Sequence, residues 1–479
     1  MALPRHKTKI VATVGPASES PEMLERLIRA GMSIARLNFS HGDFSAHGAT
    51  IAAIRAASAA AGRRVAIMAD LPGPKMRLGG FAEEPVLLRR GEPFTLTADP
   101  APGSARGVST TFKELPGVVR PGDRLYLNDG TVQLIVERVA GDDVECTVAV
   151  GGELRSRKGL NLPGIRLGVS AFTEHDRACL EFALDHGVDA VSQSFVETAA
   201  DVEAVRAAAR AHGGAAPFVI AKIERADALA HIDEILAAAD GIMVARGDLG
   251  VEVPIEEIAL LQKDLIGRAN LAGKPVITAT QMLESMVSSR MPTRAEATDA
   301  ANAILDGTDC VMLSAESAMG RFPEESVAML ARIAAAAEAA RPPVSAQELY
   351  RRFSRTAPAT VAETVAAMVD NALDLTPCAA VFVPTGTGAT ARRLSRGKPP
   401  VWIVAFSRER ATCQHLEFSC GVWAEEREAG EGEWPDLIPK WLAAREVTGE
   451  TALLVTGPDD RHPGASHRIE FIRTGGDHS

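Results

Sequence analysis

Residues 218–248 open on Phe218-Val219-Ile220-Ala221-Lys222-Ile223-Glu224 and close on Gly241-Ile242-Met243-Val244-Ala245-Arg246-Gly247-Asp248. Two short apolar runs, Phe218–Ala221 and Gly241–Ala245, flank a helical stretch, and charged residues follow each run. Apolar runs that do not alternate with polar residues suit strands buried on both faces, as in parallel sheets. Six more runs have this character: Lys9–Val14, Ser33–Leu37, Val65–Ala69, Ala190–Ser194, Pro275–Ala279 and Cys310–Leu313. Helical stretches lie between them. One starts at Ser20-Pro21-Glu22, a cap residue followed by proline in the first turn. Another starts at Thr293 with Glu296 three residues on, a capping box. Eight strands alternating with helices predict a (β/α)8 barrel. An open doubly wound sheet is the rival, but no Gly-x-Gly-x-x-Gly turn follows the first strand.

The alternation is broken twice. From about Gly79 to Arg166 the runs Pro93–Thr97, Arg124–Leu127, Thr131–Val136 and Val144–Val150 are separated by Gly, Asp and Pro clusters, a β pattern. This predicts a small inserted β-barrel lid over residues 73–167, between barrel parts 1–72 and 168–341. Gly73-Pro74 and Leu162-Pro163-Gly164 are its expected hinges. The second break is Arg341-Pro342-Pro343. An α/β pattern follows over 345–479, with strands expected at Ala379–Val383, Val401–Ala405, Thr451–Thr456 and Ile469–Ile472. The Ala-rich stretch Ala334–Ala340 reads as helix.

Composition narrows the function. The 479 residues carry a formal charge of −11, which disfavours nucleic acid and anionic membranes as partners. Two Tyr and four Trp leave few platforms for base stacking. The six cysteines form no Cys-x-x-Cys pair, so neither a zinc knuckle nor a redox pair is indicated, and free thiols in the cytoplasm are expected. No apolar run reaches the ~18 residues of a membrane span.

Catalytic groups of a barrel gather at the C-terminal ends of its strands. Those ends offer Arg36, Asn38 and Ser40; Asp70; Ser194; Lys222 and Glu224; Arg246 and Asp248; Thr280 and Gln281; Ser314 and Glu316. Lys222 and Glu224 are two apart on a strand and face the same way. With Asp248 from the next strand, two carboxylates suit Mg²⁺ or Mn²⁺, which keep waters and take substrate oxygens. A lysine beside them would stabilise a phosphoryl group in transit. The plain alternative is a Lys–Glu ion pair on a barrel rim. Arg36 presents a fork suited to phosphate, while Asn38, Ser40 and His41 also fit local backbone bonding.

The chain resembles the pyruvate kinase family over essentially its whole length. The matching stretches are Lys9 to Ser18, Arg36 to Gly42, Asp70 to Arg77, Lys158 to Gly164, Ala221 to Glu224, Asp240 to Gly250, Gly273 to Met286, Pro292 to Glu296 and Met312 to Gly320. The resemblance implies a barrel with an inserted lid and a C-terminal α/β domain, a homotetramer in the cytoplasm, and transfer of a phosphoryl group from phosphoenolpyruvate to ADP, giving pyruvate and ATP. It implies that Glu224 and Asp248 hold the divalent cation and that Lys222 stabilises the transferring group. Thr280 would serve protonation of the enolate, and the N–H groups of Gly247 and Asp248 would hold the substrate carboxylate. Arg36 and Arg77 would meet phosphates, Asn38 and His41 would lie near the nucleotide, and Asp129 and Lys158 would close over it from the lid.

Departures from the family pattern carry their own expectation. Many members need K⁺ beside Asn38, Ser40, Asp70 and the position of Leu71, and have Glu where this chain has Lys75. Here Leu71 replaces a Thr and Pro72 an amphipathic residue. The expectation is activity without K⁺, the Lys75 ammonium supplying the charge. A unit charge ~4 Å away is worth about 4 kcal/mol at an effective dielectric near 20. The loop Thr385-Gly386-Thr387-Gly388-Ala389-Thr390 precedes a helix and suits an anion, in the family a phosphate of a sugar-phosphate effector. Gly457-Pro458-Asp459-Asp460-Arg461 would repel a second phosphate, favouring a monophosphate. Two rival functions are a Mg²⁺-dependent barrel lyase on pyruvate or oxaloacetate, and a catalytically silent metabolite sensor.

Overall fold

The computed structural model describes residues 2–213, 216–341, 359–427, 433–458, 464 and 466–474. Pro342 and Pro343 of the expected break, and Asp459, Asp460 and Arg461 of the last loop, lie outside them.

Eight parallel strands close into a barrel: Lys9–Thr13, Met32–Asn38, Ala66–Leu71, Ala190–Gln193, Phe218–Ile223, Gly241–Ala245, Val276–Ala279 and Cys310–Leu313. The first pairs with both the second and the last, so no edge remains. Side chains alternate between two apolar environments. Val11, Ile34, Met68, Ile220, Met243 and Met312 fill the interior. Ile10, Ala12, Ile67, Val219 and Val244 face the surrounding helices. Both faces are buried, which is why these runs show no polar alternation. Both expected helix starts form. Ser20 Oγ accepts from Met23 N, and Thr293 and Glu296 make a capping box.

Between the third and fourth barrel strands lies a six-stranded sheet. Its order is Leu160–Asn161, Arg124–Leu127, Val132–Ala140, Asp143–Val150, Pro93–Thr97 and Gly107–Ser109. Only its last pairing is parallel. It buries its own core around Phe94, Leu96, Leu125, Leu134 and Val148. Val86–Leu88 and Gly152–Leu154 form a separate two-stranded ribbon.

The C-terminal unit is a five-stranded sheet ordered Val422–Glu426, Trp402–Ser407, Ala380–Pro384, Thr451–Thr456 and Arg468–Arg473, with only the last strand antiparallel. Val422–Glu426 was not expected, because VWAEE breaks its apolar run after three residues. This unit closes the N-terminal end of the barrel. Phe418 is fully buried against Phe218, with ring centroids 5.3 Å apart. Asp309, just before the last barrel strand, accepts from Lys398 Nζ at 2.7 Å and Cys420 N at 2.9 Å. The opposite mouth is left to the lid and the strand-end side chains.

Candidate active site

Lys222 is the penultimate residue of the strand Phe218–Ile223 and lies at the mouth of the barrel. Its Nζ is 2.8 Å from Glu224 Oε1 and 3.3 Å from Asp70 Oδ1, and donates to Ser194 Oγ at 2.7 Å. Asp70 is 2 % exposed. Its Oδ1 also accepts from Ser192 Oγ at 2.7 Å, and its Oδ2 from Arg36 Nε at 2.8 Å. Arg36 Nη1 donates to Thr13 Oγ1 at 2.9 Å. Five of the eight strand ends are thereby tied together.

The charges are mutually compensating. Burial works against the Asp70 carboxylate, but Lys222, Arg36 and the Ser192 hydroxyl outweigh it and hold its pKa well below the carboxylate range. Burial likewise works against the Lys222 cation, but Asp70 and Glu224 keep it firmly protonated. Glu224 differs. Burial and the neighbouring Asp248 charge push its pKa up, with Lys222 opposing. Asp70 is matched by Arg36 and Lys222, whereas Glu224 and Asp248 oppose each other, so that pair of carboxylates gains from further positive charge. That donor set fits a divalent cation keeping most of its coordination for water and substrate oxygens. Among the described residues no group of three or more His, Cys, Asp or Glu gathers as a closed metal cage.

Backbone geometry at the mouth is unusual. Phe195, Thr280 and Gln281 all have positive φ, at 57°, 67° and 53°. Such strain clusters where a site demands a particular direction. At Phe195 it aims the N–H at Glu224 Oε2, 2.9 Å away. At Thr280 the hydroxyl accepts from Gly247 N at 2.7 Å. Arg246 braces this corner, donating to Thr280 O at 2.8 Å and pairing with Asp299 at 2.7 Å. Gly247 and Asp248 start the short helix Arg246–Glu252.

The other expected residues divide. Lys75 is exposed at the cleft yet hemmed in; burial and the Lys222 charge lower its pKa, while Asp248 and Glu224 oppose. His41 is lowered by burial and by Arg77, Lys75 and Arg36. These four cationic or basic side chains face one region. Arg77 Nη1 donates to Arg157 O at 3.0 Å. Asn38 Oδ1 accepts from Ser40 N at 3.1 Å, the local bond its plain reading anticipates. Leu71 is buried, and its carbonyl accepts from Ser194 Oγ at 2.7 Å. Asp129 lies in a turn of three left-handed residues, Asn128 to Gly130, and a Cβ on Gly130 would lie 3.6 Å from Val251. The lid tip thus reaches the helix that carries Asp248. Lys158 accepts from Leu78 N at 2.9 Å through its carbonyl. Arg36 is not an open fork, since its donors meet Asp70 and Thr13. Glu316 binds backbone, accepting from Leu283 N and Ser314 N.

The loop Thr385–Thr390 is in the C-terminal sheet domain, apart from this mouth. Thr385 Oγ1 accepts from Gly388 N at 2.9 Å, and Arg392 folds back so that a Cβ on Gly388 would meet its Nη1 at 2.9 Å. Thr387 is exposed, and Thr390 is partly buried in the helix Ala389–Ser395.

Sequence reasoning missed Thr13, Ser192, Phe195 and Asp299. Thr13 and Ser192 fall inside apolar runs, and a left-handed Phe leaves no compositional mark.

Residues 5–327 match the model of the pyruvate kinase barrel domain, and 362–446 that of the pyruvate kinase alpha/beta domain. A pyruvate kinase of Thermococcus litoralis is 49% identical over 425 residues, covering 88% of this chain and 89% of that one. One from Mycobacterium intracellulare is 45% identical over 476 residues, 98% of each chain. A crystal structure of a pyruvate kinase from Cryptosporidium parvum superposes with a TM-score of 0.89 at 34% identity, covering 98% of this chain and 97% of that one. With the barrel, the lid and the charged mouth in place, these likenesses mean that the chain belongs to the pyruvate kinase family, phosphotransferases that move a phosphoryl group from phosphoenolpyruvate to ADP.

Proposed function

We propose that this chain carries out that transfer as the last step of glycolysis, with Lys222, Glu224, Asp248 and Thr280 as its working groups. One observation supports it above others: a buried ammonium held between Asp70 and Glu224 while Asp248 crowds Glu224. A Mg²⁺ or Mn²⁺ held by Glu224 and Asp248 would supply charge neutralisation at phosphate and enolate oxygens. Lys222 stabilises the phosphoryl group in transit, and its contacts with Asp70, Glu224 and Ser194 fix its direction beforehand. The N–H groups of Gly247 and Asp248 take the substrate carboxylate, Gly247 exchanging its bond to Thr280 for one to substrate. The Thr280 hydroxyl, which also donates to Ala279 O at 2.6 Å, would then serve protonation of the enolate carbon. His41, Arg77 and Lys75 form a basic wall for nucleotide phosphates, with Asp129 and Lys158 on the lid above.

K⁺ is not required in this reading. Both Asp70 oxygens already face cationic donors, and Lys75 adds an ammonium to the same region. The Thr385–Thr390 loop, with Arg392 folded onto it, suits one phosphate of a sugar-phosphate effector. A homotetramer is supported by apolar side chains left exposed: Val361, Met368 and Leu375 recur every seven residues on one helix, and Ile255 and Leu260 stand out from the barrel. No helix among the described residues is long and apolar enough to cross a membrane. Six free cysteines fit the cytoplasm. A coupled assay with phosphoenolpyruvate and ADP, with and without K⁺ and sugar phosphates, tests the whole reading. Absence of ADP-dependent pyruvate formation would refute it.

A further inference from the structure

Arg225 follows Glu224 directly and is among the largest fully buried side chains of the protein. The reaction as described gives it no task. Its Nη2 donates to Ile165 O at 2.8 Å, and its Nη1 reaches Leu162 O at 3.5 Å. Both carbonyls belong to the linker by which the chain returns from the lid to the barrel. The same Nη1 lies 3.4 Å from Glu252 Oε1, and that carboxylate is only 2 % exposed. Glu252 is the last residue of the helix Arg246–Glu252, whose first turn contains Gly247 and Asp248. Glu197 and Asp227, 3.5 and 3.8 Å away, complete the ring around the guanidinium.

We propose that Arg225 is a positioning residue that fixes the return hinge of the lid to the helix bearing Gly247 and Asp248. A planar fork reaches two carbonyls and a carboxylate from two separated nitrogens, whereas a lysine offers its three donors from a single point. The lid therefore meets one short helix at two places: Arg225 joins the hinge to Glu252, and at the tip the Gly130 turn lies close beside Val251. Swinging the lid changes the first hold at the linker carbonyls, next to Glu224. The consequence falls on the substrate gripped from the lid. This last step rests on the proposed assignment of the nucleotide to Arg77, Asp129 and Lys158.

Two measurements on the full-length chain separate the tether from that assignment. Hydrogen exchange without substrates should show faster exchange in residues 156–165 and in the lid strands for Arg225→Lys, with the barrel strands unchanged. Unaltered lid exchange would overturn the proposal. Steady-state kinetics of the same variant should show the ADP KM raised about tenfold or more, and the phosphoenolpyruvate KM changed less than about threefold, as expected when a remote brace misplaces one substrate only. Faster lid exchange with an unchanged ADP KM would keep the tether and reject the nucleotide assignment. Arg225→Met should exaggerate both effects. Because it leaves Glu252 buried and unpaired, Arg225→Lys is the deciding variant, and Glu252→Gln should reproduce its exchange pattern.

Discussion

The ammonium of Lys222 lies 2.8 Å from Glu224 Oε1, and the two side chains are 12 % and 2 % exposed. A structural ion pair at a barrel rim would end there. This one continues to Asp70 on one side and meets Asp248 across Glu224 on the other. Lys222→Met should lower the rate by at least about 10²–10³, the usual loss of one preorganised charge-stabilising group. Divalent-cation binding should change little, because both carboxylates remain. Calorimetric titration with Mn²⁺ beside single-turnover kinetics checks both parts, and an unchanged rate would remove Lys222 from the mechanism.

Lys75 leads to a prediction about monovalent ions. Its ammonium shares a region with Lys222 and Arg77, facing Asp248 and Glu224. Activity in Na⁺ or Tris should be close to activity in K⁺, within about twofold, since one fixed charge at short range can replace a bound ion. Lys75→Glu should convert the enzyme to one that K⁺ activates strongly. Strong K⁺ activation of the unaltered chain would sink the idea.

These two cases show what a sequence discloses. Barrel strands were legible because burial on two faces erases alternation, and that erasure is itself a pattern. Lys222, Glu224 and Asp248 were legible because strand ends and a period of two bring them to one mouth. Asp70 was visible as a strand-end acid, but its bonds to Arg36, Ser192 and Lys222 depend on barrel closure and register. The strand Val422–Glu426 stayed hidden because its position at the sheet edge lets its last residues be polar. Phe195 and Arg225 act through backbone direction and long-range contacts, which leave no local signature.

Gly73 couples the lid hinge to this same cluster. Its φ is +65°, and a Cβ there would lie 2.8 Å from the Phe195 ring and 3.1 Å from Ser194 Cβ. Its N–H donates to the buried Asp176 at 2.9 Å, so the hinge cannot simply shift away. Gly73→Ala should cost roughly 1–2 kcal/mol for the left-handed backbone alone. The collision would also displace Phe195, whose N–H orients Glu224, and Ser194, which accepts from Lys222. Turnover should fall about 10²-fold, the penalty of misplacing reacting groups by ~1 Å. Wild-type turnover with only a lowered melting temperature would show that the hinge is independent of the site.

Asp370, on the helix Val361–Leu375, gives a test of the C-terminal domain by pH. Burial raises its pKa to about 6, with Arg396 opposing and Asp374 adding to the rise. Its carboxylate sits close over Gly397, where a Cβ would be 2.9 Å from Oδ1. An acid whose folded pKa lies above its unfolded value binds more protons when folded. Stability is therefore highest below the unfolded pKa near 4 and is lost as pH rises through about 6. Asp370→Asn removes this dependence and keeps the shape. Its stability relative to the parent should improve by about 1–2 kcal/mol between pH 4.5 and pH 7.5, less than the full linkage because solvent reaches part of the side chain. Calorimetric scans of the two proteins at both pH values check this. A difference independent of pH would mean that Asp370 is ionised at both, with Arg396 the dominant influence on it.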